Sequence, residues 1–130
     1  MNKLFLFLIT LSICNAEPSR QFYRALHIVE THGKLGAIIG DNGAALGPLQ
    51  IHKPYFIDSR VSGNYSQCSE LPFSIKVVSA YLKRYAKTAW ETNDIETLAR
   101  IHNGGPRGAS NPRTLKYAQK VMLEVRKQND

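Results

Sequence analysis

The sequence predicts an α+β domain, mostly α-helical, with one small β-hairpin region after its first helix. Three observations predict it. Apolar residues recur at helical spacing in four separate segments, and an Asp-Asn-Gly turn between two short apolar runs follows the first of them. The third is scale: 130 residues, 43% hydrophobic and 21% charged, suit a single domain with a real core.

The N-terminus stands apart from that domain. Lys3 is followed by the largely apolar "LFLFLITLSI" at 4–13 and then by "CNA" ending at Ala16. A basic start, a short apolar run and small residues at a cut after Ala16 predict a secretory signal peptide over 1–16 and a mature domain over 17–130, secreted or periplasmic. The run is too short to span a bilayer. A lipoprotein signal acylated at Cys14 is the rival reading, but Ile13 stands where that signal needs a small residue.

In the mature chain, "EPSRQFYRALHIVETHG" carries Phe22, Ala25, Leu26 and Val29 at helical spacing, with Pro18 and Ser19 suited to its start and Gly33 to its end. Glu30 falls in the last turn, where the negative end of the helix dipole opposes a carboxylate. By itself it could be a solvated glutamate at a fraying end. The next segment, "LGAIIGDNGAALGPLQI", breaks the helical period and reads as a tight turn joining short strands, with Asp41 a turn aspartate that can also hang over a cleft.

Helical spacing returns in "SELPFSIKVVSAYLKRYAK", with Pro72 in the first turn and Ile75, Val78, Leu82 and Tyr85 on one stripe. A shorter helix follows in "TNDIETLARIHNGGP". Asn93 and Glu96 have capping-box spacing, Ile95, Leu98 and Ala99 face inward, and Gly104 and Gly105 stop it. The last helix opens at Asn111-Pro112, and Leu115, Ala118, Met122 and Val125 form its buried seam.

Of the two cysteines, Cys14 would leave with the signal, so Cys68 remains alone and no intramolecular disulfide can form. The domain must then hold by packing, with Cys68 a partly buried spectator. The formal charge is +7, spread along the chain without a basic run or interleaved aromatics. Anionic polymers or surfaces are the expected partners, and nucleic acid is the weaker reading. No phosphate loop, paired-cysteine zinc pattern or Gly-x-Ser-x-Gly elbow occurs, and His27, His32, His52 and His102 lack ligand spacing. Neither a metal nor a cofactor is expected.

Several segments together form a pattern. "ALHIVETHG", "GAALGPLQI", "PYFID" and "LARIHNGGPRG", followed by a Pro-Arg-Thr-x-x-Tyr helix, resemble the lysozyme superfamily, and the invertebrate-type lysozymes with their bacterial and viral relatives most of all. The resemblance covers roughly residues 22 to 121. It implies a lysozyme-like domain and a secreted muramidase that lyses bacterial walls. The family's catalytic glutamate falls on Glu30 and its second carboxylate on Asp41; Gln50, Tyr55, His102, Asn103, Gly104 and Gly105 match positions lining the sugar cleft, and Asp58 matches a structural aspartate. The implied partner is peptidoglycan, with no nucleic acid, no stable membrane insertion and a monomeric chain. Animal members resemble a cage of disulfides, and this chain departs from them there.

Glycoside hydrolysis needs one carboxyl group to protonate the leaving oxygen and a second carboxylate to stabilise or capture the oxocarbenium ion. Glu30 has the setting of the acid, at a negative helix end and beside the apolar Ile28, Val29, Ile38 and Leu49. Asp41, on a polar turn with Asn42 and Gly43, should stay ionised. The nearly charge-free stretch from 40 to 56 then reads either as a cleft wall or as a strand entering the core. Two other functions remain open: a lytic transglycosylase acting on the same bond, and a non-catalytic wall-binding protein.

Overall fold

The computed structural model describes residues 18–130; the expected signal segment, with Cys14, lies outside the described residues. Helix α1 spans Arg20–Thr31 and buries Phe22, Ala25 and Leu26, with Val29 half-buried, as its spacing predicts. It closes where His32 turns left-handed and the N–H groups of His32 and Gly33 return to the carbonyls of Ile28 and His27. These bonds satisfy carbonyls that the end of a helix otherwise leaves open.

Three two-residue strands follow: β1 (Ile39–Gly40), β2 (Ala45–Leu46) and β3 (Ile51–His52), antiparallel in the order β1-β2-β3. Ile39 pairs with Leu46 and Leu46 with Ile51. The β1–β2 turn is the Asp-Asn-Gly signal, with Asp41 and Asn42 both left-handed at φ 49° and 54°. Short polar side chains tolerate that region better than most. The second turn is tighter packed. Gly47 has φ 83°, and a Cβ there would lie 1.8 Å from the Cys68 carbonyl oxygen, so no side chain fits.

Two helices have no counterpart in the sequence reading. Helix α2 (Lys53–Ser59) leaves β3 directly with Pro54 in its first turn, and α4 (Lys87–Thr92) follows a break at Ala86. At seven and six residues, both are too short to display a helical period. Helix α3 (Leu71–Tyr85) opens with Pro72 as expected, but its buried face is Ser74, Val77, Val78, Tyr81 and Leu82, with Ile75 and Tyr85 at its margins.

Helix α5 (Ile95–Gly104) corrects one cap. Asp94, not Asn93, is its N-cap, accepting a hydrogen bond from the Thr97 N–H at 3.2 Å; Asn93 turns left-handed to close α4. Helix α6 (Leu115–Lys127) corrects a seam. Leu115 is exposed and Met122 only half-buried, while Ala118 and Val121 are fully buried. A single 3-10 turn at Pro112–Thr114 leads directly into α6. Thr114 is held there by its hydroxyl, which lies 2.7 Å from the Gly108 carbonyl and 3.0 Å from Arg100 Nε.

The core runs through α1, α3, α5 and α6 around Leu26, Leu82, Leu98 and Val121. Cys68 lies wholly inside it rather than partly, and burial pushes its thiol up to about 11. Among the described residues it is the free cysteine, and no disulfide braces this part of the chain. One bond links the helical core to the hairpin: the buried Thr31 hydroxyl donates to the Pro48 carbonyl at 2.9 Å. Since Thr31 follows Glu30 and Pro48 lies in the second hairpin turn, this joint helps set the two against each other.

Candidate functional site

A cleft of about 280 Å³ opens between the end of α1, the hairpin and the C-terminal half of α5. Glu30 and Asp41 both line it, from opposite elements. Their surroundings differ: the Glu30 side chain is 18% exposed and that of Asp41 is 68% exposed.

Glu30 does not rest on apolar neighbours alone, as its flanking residues predict. The Tyr117 hydroxyl on α6 donates to its Oε1 at 2.5 Å, and His102 Nε2 on α5 lies 3.3 Å from the same oxygen. His102 is nearly enclosed, and its Nδ1 lies 2.9 Å from the Tyr55 hydroxyl. Tyr55 in turn stacks on Tyr81, with ring centroids 3.6 Å apart and planes 12° from parallel. Burial raises the Tyr55 phenol well above its ordinary range, and the neighbouring Tyr81, Tyr23 and Glu30 add to the shift. Tyr117 is raised likewise by burial first and then by the Glu30 carboxylate. Both phenols therefore remain proton-bearing donors at physiological pH.

Asp41 has a different partner. His52 Nε2 lies 2.8 Å from its Oδ2, and His52 also lines the cleft. Gln50, left-handed at φ 51°, uses its amide nitrogen within the hairpin, donating to the Ile38 and Gly47 carbonyls at 3.2 and 3.0 Å. It braces the hairpin while facing the cleft. Asn103 and Gly105 complete the wall at the end of α5.

Seven of the eight residues singled out from sequence thus line one cleft; Gly104 does not. Its missing Cβ makes room for Thr114, whose Cγ2 would lie 2.5 Å from such an atom. Asp58 lies on α2, and its carbonyl accepts from Arg84 at 2.9 Å. His52 and Tyr117 are the residues that sequence spacing does not single out. A signal existed for each: His52 shares the face of Gln50 two residues away, and Tyr117 is the tyrosine of the Pro-Arg-Thr-x-x-Tyr segment. Among the described residues no group of His, Cys, Asp and Glu could hold a metal ion.

A helical domain that sets a carboxylate at the end of its first helix against another on a small hairpin sheet defines a lysozyme-like protein. The chain matches no protein-family model. It is 35% identical to lysozyme 1 of Crassostrea virginica over 82% of its own length and 59% of that protein. The lysozyme of Magallana gigas is 33% identical, with 85% of this chain and 82% of that one covered. The invertebrate-type lysozyme of Ruditapes philippinarum is 39% identical, over 64% and 62%. Among solved structures, Tapes japonica lysozyme superposes with a TM-score of 0.65 at 32% identity, covering 79% of this chain and 87% of that one. The chain belongs to the invertebrate-type lysozymes. It spans about three fifths of the length of the Crassostrea virginica relative, 59%.

Proposed function

We propose that this chain is a secreted muramidase that hydrolyses the β-1,4 bond between N-acetylmuramic acid and N-acetylglucosamine in peptidoglycan. The observation that carries this reading is the placement of Glu30 and Asp41 in one cleft, in unlike surroundings. Glu30, largely enclosed, donates a proton to the leaving glycosidic oxygen. Asp41, on the solvent side and held by His52, stabilises or captures the oxocarbenium ion. Water then completes the hydrolysis, with Glu30 taking a proton from it. Asn103 and Gly105, with the outward edges of Gln50 and Tyr55, contact the sugars.

The formal charge, +7 over the full chain and +6 once Lys3 leaves with the signal, supports attraction to anionic walls, weakening as salt rises. Cleavage after Ala16 would release residues 17–130, and the intact mass of the secreted protein tests that boundary. Among the described residues no helix is long and apolar enough to cross a membrane.

Mass spectrometry of products from purified peptidoglycan tests the function. Reducing muropeptides that disappear with Glu30→Gln are expected, with a loss of roughly 10²–10⁴-fold for a removed general acid. Anhydro ends would make the protein a lytic transglycosylase, and binding without product would make it a wall-binding protein.

A further inference from the structure

We propose that Tyr117, together with His102, is a positioning residue that pins one oxygen of Glu30 and thereby reserves the other, Oε2, for the proton given to the glycosidic oxygen. The inference rests on the reading of Glu30 as the proton donor. Both neighbours converge on one atom: the Tyr117 hydroxyl donates to Oε1 at 2.5 Å, and His102 Nε2 lies 3.3 Å from it. Oε2 has no hydrogen-bond partner among the described residues. A protonated carboxyl has one carbonyl oxygen and one hydroxyl. With a phenol hydrogen already pointing at Oε1, that atom serves as the carbonyl acceptor, and the acid proton belongs on Oε2.

The arrangement is fixed from behind. Tyr55, locked by its stacking on Tyr81, lies 2.9 Å from His102 Nδ1. With Nδ1 accepting from that phenol, which burial keeps protonated, the imidazole hydrogen sits on Nε2, facing Oε1. When Glu30 gives up its proton, the new carboxylate meets a phenol O–H and an imidazole N–H already in place. No dipole has to turn at that moment, which is the condition under which such donors stabilise developing charge most. The side chains come from α1, α2, α5 and α6, and Tyr117 lies 87 residues from Glu30. This role differs from the sugar contact that the resemblance implies for His102.

The test measures kcat and KM on purified peptidoglycan across pH for Tyr117→Phe, with thermal unfolding recorded for each variant. The titratable groups facing Glu30 are Tyr117 and His102, with Tyr55 behind them and Asp41 and His52 across the cleft. The expected result is a kcat lower by on the order of 10²-fold, KM within twofold, and an alkaline limb of the kcat profile moved to higher pH, because a donor to the carboxylate has been lost. Wild-type kcat with an unmoved profile would overturn the proposal. So would a raised KM at unchanged kcat, which would make Tyr117 a sugar contact. Tyr55→Phe should lower kcat in the wild-type background but not on top of His102→Gln; equal losses in both would overturn the part assigned to His102. Glu30→Gln, run alongside, separates the two readings. If it retains turnover the proton-donor role fails, whereas an inactive Glu30→Gln beside a normal Tyr117→Phe defeats only the positioning role.

Discussion

Replacing Thr31 with valine removes one hydroxyl from the joint between the two sides of the cleft and changes little else in shape. That hydroxyl has three carbonyls within reach: Pro48 at 2.9 Å, His27 at 3.3 Å and Lys34 at 3.5 Å. It carries a single hydrogen, and the Pro48 bond is the shortest and is buried. Among the described residues the Pro48 carbonyl has no other hydrogen-bond donor. Valine would therefore leave a buried acceptor unsatisfied, at a cost of about 1–3 kcal/mol. For a domain of this size that lowers Tm by roughly 4–12 °C. Thermal unfolding followed by circular dichroism measures it, with Thr31→Ser as the control that keeps the hydroxyl and gives up only a methyl group. Activity should fall further than stability explains, because Glu30 is the preceding residue and its placement against Asp41 depends on the same joint. A Tm within about 1 °C of wild type for Thr31→Val would refute the reasoning, since it would mean that the bond has no net effect.

Three further outcomes follow from the structure. The Cys68 thiol, raised to about 11 by burial, should resist a thiol reagent at neutral pH in the folded protein and react fully once denaturant is added. Stability should fall as pH rises above 10.0: there the unfolded chain loses phenol protons that buried Tyr55, Tyr117 and Tyr81, the last raised to about 12, still hold. Absorbance titration checks this, and all six tyrosines ionising together near 10 in the folded protein would contradict it. Asp94→Ala should cost about 1 kcal/mol in chemical unfolding as a lost N-cap. Asn93→Gly, at a left-handed position with φ 53°, should leave stability nearly unchanged; the opposite ranking would restore Asn93 as the cap.

Much of the fold is legible in the chain because helical spacing is a local signal. Phe22, Ala25 and Leu26 mark the inner face of α1 without knowledge of what covers them, and the Asp-Asn-Gly turn marks the hairpin. The errors fall where local signals are weak or shared. Leu115 fits a helical seam by spacing, yet it lies exposed at the first position of α6, and Val121 is buried instead. Asn93 and Asp94 are both good caps, and only the end of α4 decides between them.

The nearly charge-free stretch from 40 to 56 proves to serve both purposes that its composition allows. Ala45, Leu49 and Ile51 enter the core, while Asp41, Gln50, His52 and Tyr55 face the cleft. By itself the sequence determined the class of fold, the family pattern and nearly all of the cleft-lining residues, because each leaves a mark within a few positions of the chain. Only the tertiary structure decided that the partners of Glu30 are Tyr117 and His102, on one oxygen, and that Asp41 is paired with His52. Hydrogen bonds across 87 residues depend on how helices pack and rotate, and no local spacing encodes that angle.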